Sequence, residues 1–239
     1  MRDIPLIGVL GGMGPLATAD FLAKLTAETP ASRDQDHIPY VVWGVPQIPE
    51  RPAAILNGGA SPLPDMLNGI AKLKQAGARV VAIPCNTAHH WHDALVLSGG
   101  LPILHIADAV CDVLTENGIT GGKIGLIGTE GTIQAGFFQK RFAARGLECL
   151  LSSRADQDQL VLPAIACVKA HDLQRAHRLA IQAVQNLLDN GACAVVLACT
   201  ETPVAVEFAA HPAATHCIDA TRALARACVA WHRTMTQTR

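Results

Sequence analysis

Two apolar runs in this 239-residue chain each end in a cysteine that is followed by small polar residues. The first run is Val80–Pro84, before Cys85, and the second is Ala194–Ala198, before Cys199. Short apolar runs rich in β-branched residues are typical of buried parallel strands, and the change to polar residues indicates the start of a helix. Because α/β proteins bind ligands beyond the carboxyl ends of such strands, these two thiols are the first candidates for functional residues.

The rest of the chain alternates strand-like and helical segments, which predicts an α/β protein with parallel sheets. We expect strands at 5–10, 38–45, 79–84, 102–105, 123–128, 147–151 and 194–198, and helices at 15–29, 61–77, from about 86, 132–145, 160–170, 173–190, just after 199 and 219–234. The two cysteines are 114 residues apart (199 − 85 = 114), close to half the chain. This spacing predicts two pseudo-symmetric α/β domains with the active site in the cleft between them. The first domain comprises residues 1–115 plus 216–239 and carries Cys85, and the second comprises residues 116–215 and carries Cys199.

Composition limits the partners of the chain. The net charge is −1, lysine and arginine are scattered, and aromatic residues make up only 4% of the sequence, so we expect no nucleic-acid binding. The N-terminus does not resemble a signal peptide, and no uncharged apolar stretch is long enough to cross a bilayer. None of the eight cysteines forms a C-x-x-C pair. We therefore expect a cytoplasmic protein without a membrane partner, in which six of the thiols only fill space.

The opening glycine motif raises the question of a dinucleotide site. Residues 12–17 fit the pattern G-x-G-x-x-A after a predicted strand. The second strand, however, ends without the carboxylate that would hold a ribose, and Pro15 removes one backbone donor for a pyrophosphate. A turn of this kind can still bring helix N-terminal amides to a small anion.

A zinc site near the first cysteine is a second alternative. Cys85 and His89 are four residues apart, on one face of a predicted helix, and could supply two ligands. The second half offers Cys199 without an adjacent histidine, and no acidic cluster completes a site for a hard cation. We therefore expect no metal.

The positions of the two thiols suggest acid–base chemistry. A thiol at the start of a helix meets unpaired backbone amides, which favour the thiolate and predict a pKa below about 8.5. One thiolate and one thiol on opposite faces of a carbon acid form a base and an acid.

Five motifs resemble those of the aspartate/glutamate racemase family of cofactor-independent amino-acid racemases. They are Gly11-Gly12-Met13-Gly14-Pro15-Leu16-Ala17-Thr18, Pro49-Glu50-Arg51, Cys85-Asn86-Thr87-Ala88-His89, Gly128-Thr129-x-x-Thr132 and Cys199-Thr200-Glu201. The aspartate racemases of the family are the most similar to this chain. The chain departs from the family pattern at Ala198, in the stretch 150–158, which lacks the usual proline, and at His171, where a glycine is common.

The resemblance implies a homodimeric racemase of dicarboxylic amino acids that uses no pyridoxal, metal or nucleotide. Cys85 and Cys199 would exchange protons with the α-carbon, and Arg51 and Lys169 would bind the side-chain carboxylate. The other substrate-binding residues it implies are Met13, Asn86, Thr87, Thr129 and Thr200.

Three functions remain open on the sequence alone. The first is a racemase of aspartate, with glutamate left open as a second substrate. The second is a related isomerase of another small dicarboxylic acid, such as maleate, in which one cysteine adds to a double bond. The third is a non-catalytic protein that binds a small ligand or undergoes thiol redox chemistry.

Overall fold

The computed structural model describes residues 4–237, which form two compact units. Val110–Ala220 forms the second unit, and the first holds the described residues on either side of it. The domain boundaries expected from the sequence, at 115/116 and 215/216, lie a few residues from these limits. The strands are β1 (Leu6–Gly11), β2 (Tyr40–Gly44), β3 (Ala78–Ala82), β4 (Gly122–Gly128), β5 (Leu147–Leu151), β6 (Ala192–Ala198) and β7 (Cys217–Asp219). The helices are α1 (Pro15–Glu28), α2 (Arg51–Leu56), α3 (Leu63–Gln75), α4 (His92–Gly99), α5 (Ile106–Glu116), α6 (Glu130–Ala135), α7 (Phe137–Ala144), α8 (Arg154–Asp156), α9 (Leu162–Lys169), α10 (Leu173–Asp189), α11 (Glu201–Glu207) and α12 (Ala220–Gln237).

Each unit is built on a parallel sheet, as the alternating pattern predicts. The first sheet has the strand order β2-β1-β3 and the second has the order β5-β4-β6-β7. All pairings in both sheets are parallel. The central strands are almost completely buried because helices pack on them, which explains why they read as continuous apolar runs.

Glycine lets a helix approach each sheet closely. A Cβ atom on Gly8 of β1 would lie 2.9 Å from the Cβ of Ala78 and 3.2 Å from Leu73 of α3. A Cβ atom on Gly125 of β4 would lie 3.1 Å from Leu187 of α10. In both units a glycine within a central strand therefore sets the distance between sheet and helix.

The two cysteine-bearing strands share an irregularity of pairing. Where β3 pairs with β1 the register skips Arg79, and where β6 pairs with β4 it skips Cys193. Val80 and Ala194 are the first residues that pair after the two skips. Cys85 lies five residues after Val80 (80 + 5), and Cys199 lies five residues after Ala194 (194 + 5). The internal repeat inferred from the spacing of the thiols thus extends to the register of the strands.

Some predicted elements differ in the structure. The strand expected at 102–105 is a single parallel bridge between Ile103 and Val81. The helix expected at 132–145 is two helices, because Gly136 adopts a positive φ of 70° between α6 and α7. The helical region before Lys169 begins at Arg154 and contains a π-helical turn at Gln157–Val161. Residues after Cys85 form a 3₁₀ turn, Thr87–Trp91, before α4.

Within residues 4–237, no helix combines the length and the apolar character needed to cross a membrane.

Candidate active site

The carboxyl edge of the first sheet carries the opening glycine motif and the first cysteine. The turn after β1 is fixed by Thr18, whose hydroxyl accepts from the Gly12 amide at 2.9 Å and donates to the Gly14 carbonyl at 3.0 Å. Met13 and Cys85 are both buried, and they belong to the same apolar cluster. The structure therefore brings the two predicted residues into one neighbourhood at the sheet edge.

Asn86, directly after the thiol, has a buried side-chain amide without a hydrogen-bond partner in the described part of the chain. Its side chain is 3% exposed, and neither its Nδ2 nor its Oδ1 finds a partner within the described residues. Buried side-chain amides are normally satisfied, because leaving one unpaired costs about 1–3 kcal/mol. Thr87 is also buried beside it. A small ligand with both donors and acceptors would complete the hydrogen bonds of Asn86.

His89 supports the turn that carries Cys85. Its Nε2 lies 3.1 Å from the Ile83 carbonyl oxygen, and its Nδ1 accepts from the Ile106 amide at 3.5 Å. Both ring nitrogens of this buried histidine therefore contact backbone groups, in a neutral tautomer with the proton on Nε2. Across residues 4–237, no three histidine, cysteine or acidic side chains are grouped in a way that could hold a metal ion.

Arg51 is anchored at the start of α2 rather than extended into solvent. One terminal nitrogen of its guanidinium donates to the carbonyls of Ile48 and Pro49, at 3.1 and 3.0 Å. Its Nε is buried and has no hydrogen-bond partner in the described part of the chain. A fixed guanidinium with one unsatisfied buried donor is suited to bind a carboxylate.

In the second unit, Cys199 follows β6 and donates a hydrogen bond to a carboxylate. Its Sγ lies 3.0 Å from Oε2 of Glu201, and the Thr200 hydroxyl donates to the same oxygen at 2.9 Å. The Thr202 hydroxyl and amide both donate to the carbonyl of Cys199, at 2.7 and 3.1 Å. The sequence places Glu201 in a family motif but assigns it no role of its own. The acidic residue two positions after the thiol is the signal that could have indicated one.

The carboxylate reverses the expectation for the pKa of this thiol. Burial, followed by the charge of Glu201 and the side-chain hydrogen bond to it, raises the pKa of Cys199 well above the usual thiol value, while the Glu201 amide and Lys169 lower that pKa by less. The prediction that a helix start lowers the pKa is therefore wrong for Cys199. The physical reason is that the thiol is buried and its proton is held by an anion, while α11 is only seven residues long.

Lys169 ends α9 and reaches the same carboxylate. Its Nζ is 4.0 Å from Oε1 of Glu201, and its side chain is 66% exposed. The chain reverses just after it, where His171 takes a left-handed φ of 60° and its amide donates to the Val168 carbonyl at 3.0 Å. A histidine thus occupies a position that favours glycine, and it still closes the helix in the usual way.

Two further polar residues, Thr129 and Gln157, lie at the end of β4. The sequence indicated Thr129 but not Gln157. Thr129 caps α6, its hydroxyl accepting from the Thr132 amide at 3.3 Å. Gln157, in the π-helical turn, is 5% exposed and donates from Nε2 to the Gly128 carbonyl at 2.9 Å. Its Oε1 is buried without a hydrogen-bond partner among the described residues. No sequence pattern distinguishes Gln157 from the exposed polar residues around it.

Each unit therefore presents one buried thiol next to polar groups at the carboxyl edge of its sheet. The first offers an unsatisfied amide and an anchored guanidinium, and the second offers a thiol with a defined proton acceptor and a nearby ammonium. Thiols, amides and cations of this kind can bind carboxylates and transfer protons.

Comparison with known proteins gives concordant results. The family model for Asp/Glu/Hydantoin racemase matches residues 10–228. The broad specificity amino-acid racemase RacX of Bacillus subtilis (strain 168) is 27% identical over 202 residues, covering 82% of this chain and 85% of that protein. The structure of the Picrophilus torridus aspartate racemase is 33% identical, with a TM-score of 0.82, and the match covers 96% of this chain and 94% of that one. An aspartate racemase homologue from Pyrococcus horikoshii OT3 shares the fold at 20% identity, with a TM-score of 0.78 and coverage of 96% and 100%.

Proposed function

Because this chain belongs to the Asp/Glu/Hydantoin racemase family, a family of isomerases, we propose that it racemises acidic amino acids without a cofactor. Aspartate is the proposed substrate, and glutamate is the second candidate. The observation that carries this proposal is the equivalent position of two buried thiols, each five residues beyond the first residue paired after a register skip in its own sheet. Two thiols in matching positions can serve one reaction as an acid and a base, which a single cysteine cannot do for both faces of one carbon.

The proposed reaction moves one proton off the α-carbon and another onto it. One sulfur, as thiolate, removes the α-proton, and the other, as thiol, delivers its proton to the opposite face. Both sulfurs must therefore reach a single carbon from opposite sides. No electrons leave the system, and only Cα–H and S–H bonds are broken and formed, so the two thiols suffice for the proton transfers.

The difficult part of the reaction is the charge that builds on the α-carboxylate as the proton leaves. Asn86, with its unsatisfied buried amide, is the donor that the geometry supports best for this role. Thr87, Thr129 and Thr200 are the further candidates, although the Thr200 hydroxyl proton is directed at Glu201 in the free protein. Preorganised donors in comparable sites contribute about 3–4 kcal/mol each to transition-state stabilisation.

The second carboxylate of the substrate is assigned to Arg51 and Lys169. The anchored guanidinium of Arg51 has a buried Nε–H to offer, and Lys169 supplies an exposed ammonium at a helix end. Met13 would contact the apolar part of the substrate. The Picrophilus torridus protein is an aspartate racemase, which supports aspartate, and the broad specificity of the Bacillus subtilis racemase supports testing a wider range. One methylene separates glutamate from aspartate, a difference that binding discriminates by only about 1–3 kcal/mol.

Chiral chromatography of the products tests the function. The protein would be dialysed against EDTA, treated with hydroxylamine to remove any pyridoxal, and incubated with L-aspartate, D-aspartate, both glutamates, L-alanine and maleate. We expect interconversion of the aspartate enantiomers without added cofactor. Conversion of maleate alone would point instead to the related isomerase reaction, and no conversion of any compound would contradict an enzymatic role. A cytoplasmic location and a homodimeric state stay predictions.

A further inference from the structure

We propose that Glu201 is a positioning residue that keeps Cys199 protonated in the resting protein, which makes Cys199 the resting acid and Cys85 the resting base. This inference rests on the proposed racemase function and assigns different starting roles to the two thiols. It also predicts an order of events that the near-symmetry of the two units does not by itself suggest.

The side-chain contacts around Cys199 favour the thiol over the thiolate. The S–H donates to Oε2 of Glu201 at 3.0 Å, and the Thr200 hydroxyl donates to the same oxygen at 2.9 Å. Two donors on one oxygen hold the carboxylate in place as an acceptor, which fixes the direction of the S–H bond. Cys199 is 7% exposed, so water cannot readily replace this acceptor.

The charges near Cys199 also favour its thiol form over the thiolate. If Cys199 lost its proton, a thiolate and a carboxylate would stand side by side in a buried site, and like charges at this distance disfavour ionisation. Lys169 of α9 offsets this repulsion only in part, because its ammonium is exposed and lies 4.0 Å from the other oxygen of Glu201. His177 of α10 faces α11 but is bound to the Ala205 carbonyl at 3.0 Å. Burial is the largest cause of the raised pKa of Cys199, and the charge of Glu201 and the hydrogen bond to it raise that pKa further.

The role of Cys85 follows from that of Cys199. A two-base racemisation starts with one thiolate and one thiol, so a resting acid at Cys199 leaves the thiolate to Cys85. Two positions after Cys85 the chain has Thr87, which carries no charge, whereas two positions after Cys199 it has the carboxylate of Glu201. The two matching strand ends therefore differ in the charge that the chain places two residues after the thiol.

The proton inventory is then complete. Cys85, as thiolate, takes the α-proton, and Cys199 gives its S–H proton to the opposite face of the carbon. After the two proton transfers, Cys85 is a thiol and Cys199 is a thiolate beside Glu201. The resting form returns when Cys85 releases a proton to water and Cys199 takes one up, or when the opposite enantiomer reacts in the reverse direction.

Site-resolved alkylation tests this assignment without any substrate. The folded protein is treated with iodoacetamide between pH 6 and pH 9.5, and mass spectrometry follows the labelling of each cysteine. In the wild type we expect Cys85 to become reactive at a lower pH than Cys199. The midpoint, the pH at which the labelling rate of a cysteine is half its maximum, should for Cys199 lie above that of a free thiol, about 8.5. In Glu201→Gln the midpoint of Cys199 should fall by at least about one pH unit, which is roughly a tenfold rise in rate at a fixed lower pH. Glu201→Asp should retain a high midpoint.

Glu207 is an exposed acid at the end of the same helix, so Glu207→Gln is the matched control and should leave both midpoints unchanged. Circular dichroism confirms that each variant is folded. A wild-type midpoint for Cys199 at or below that of Cys85 overturns the assignment even if Glu201→Gln fails to fold, and an unchanged midpoint in a folded Glu201→Gln also overturns it. If the alkylation pattern is as expected but no amino acid is racemised, the proposed function fails and the role of Glu201 stands. If amino acids are racemised but Glu201→Gln leaves the labelling midpoint of Cys199 unchanged, the proposed function is supported and the proposed role of Glu201 is refuted.

Discussion

Single residues decide how each half of this molecule can take part in the proposed proton transfer. Cys199 has a defined acceptor in Glu201, whereas the turn at Cys85 continues with Asn86, an amide whose buried atoms have no partner in the described structure. Arg51 is similar to Asn86 in having a buried donor without an acceptor among the described residues. Unsatisfied polar groups are costly in a folded protein, and a substrate bound at these two residues would offset that cost.

Arg51→Ala tests how the substrate side chain is recognised. Removing a charge-assisted contact should weaken transition-state binding of aspartate by about 1.5–3 kcal/mol, which is measured as a fall in kcat/KM. The effect on any turnover of alanine should be much smaller. Arg33→Ala is a suitable control because Arg33 is exposed and its guanidinium pairs with Asp36. Steady-state kinetics on both substrates give the answer, and equal losses on aspartate and alanine would show that Arg51 does not bind the side-chain carboxylate.

Asn86→Leu should separate stability from function. The replacement removes a buried amide with no partner in the described chain and no capping hydrogen bond, so the free energy of unfolding should rise by about 1 kcal/mol. The rate with aspartate should nevertheless fall by about a hundredfold or more, because the donor for the developing charge is lost. Urea denaturation and kinetics measure the two effects, with the exposed Asn57→Leu as control for the rate. An active, destabilised variant would contradict this account of Asn86.

At the scale of elements, the alternating pattern was enough to predict the parallel sheets and most of their strands. Apolar β-branched runs and glycine stops are local signals, and they identified β1, β3, β4 and β6 as well as the two thiol turns that follow strands. The break at Gly136 and the short strand β7 were not predicted, because a glycine within a helical pattern and a three-residue strand carry little local information. The hydrogen bond between Cys199 and Glu201 was also not predicted, since a contact between side chains two residues apart depends on the rotamers that packing selects.

The π-helical turn gives a test at the same scale. Gln157 is a buried polar residue of this turn, and it joins the turn to the end of β4 through the Gly128 carbonyl. Gln157→Leu should lower the free energy of unfolding by about 1–3 kcal/mol, because it removes the donor from a buried carbonyl. Gln159→Leu, in the same turn but exposed, should change it by less than about 0.5 kcal/mol. Urea denaturation of the two variants makes the comparison, and equal losses would indicate that the hydrogen bond to Gly128 is not what holds the turn.

For the whole molecule, buried thiols predict how stability depends on pH. Burial raises the pKa of Cys149, Cys217 and Cys228 to about 12 each, above the reference thiol value of 9.0. Because the folded pKa values are the higher ones, the stability that these neutral thiols contribute is complete below pH 9.0 and is lost as the pH rises from there towards 12. Each thiol contributes a slope of about −1.4 kcal/mol per pH unit within that window.

Urea denaturation under reducing conditions at pH 7.5, 9.0, 9.5 and 10 measures this slope. Cys228→Ala is the informative variant, since Cys228 is fully buried and its removal should flatten the decline by the share of one thiol. The starting stability of the variant is lower because a cavity is created, so the slopes rather than the absolute values are compared. A free energy of unfolding that stays constant up to pH 10 would contradict the burial of these thiols as neutral groups.

The central claim, that two cysteines racemise an acidic amino acid from opposite faces, is tested most directly by deuterium incorporation. L-aspartate is incubated in D₂O with the wild type, Cys85→Ser and Cys199→Ser, and both enantiomers are recovered at low conversion. With two bases, the D-aspartate formed should carry deuterium at the α-carbon while the recovered L-aspartate still carries protium, and neither variant should interconvert the enantiomers. Deuterium at equal levels in both enantiomers at early times, or full racemisation by either single variant, would contradict the account.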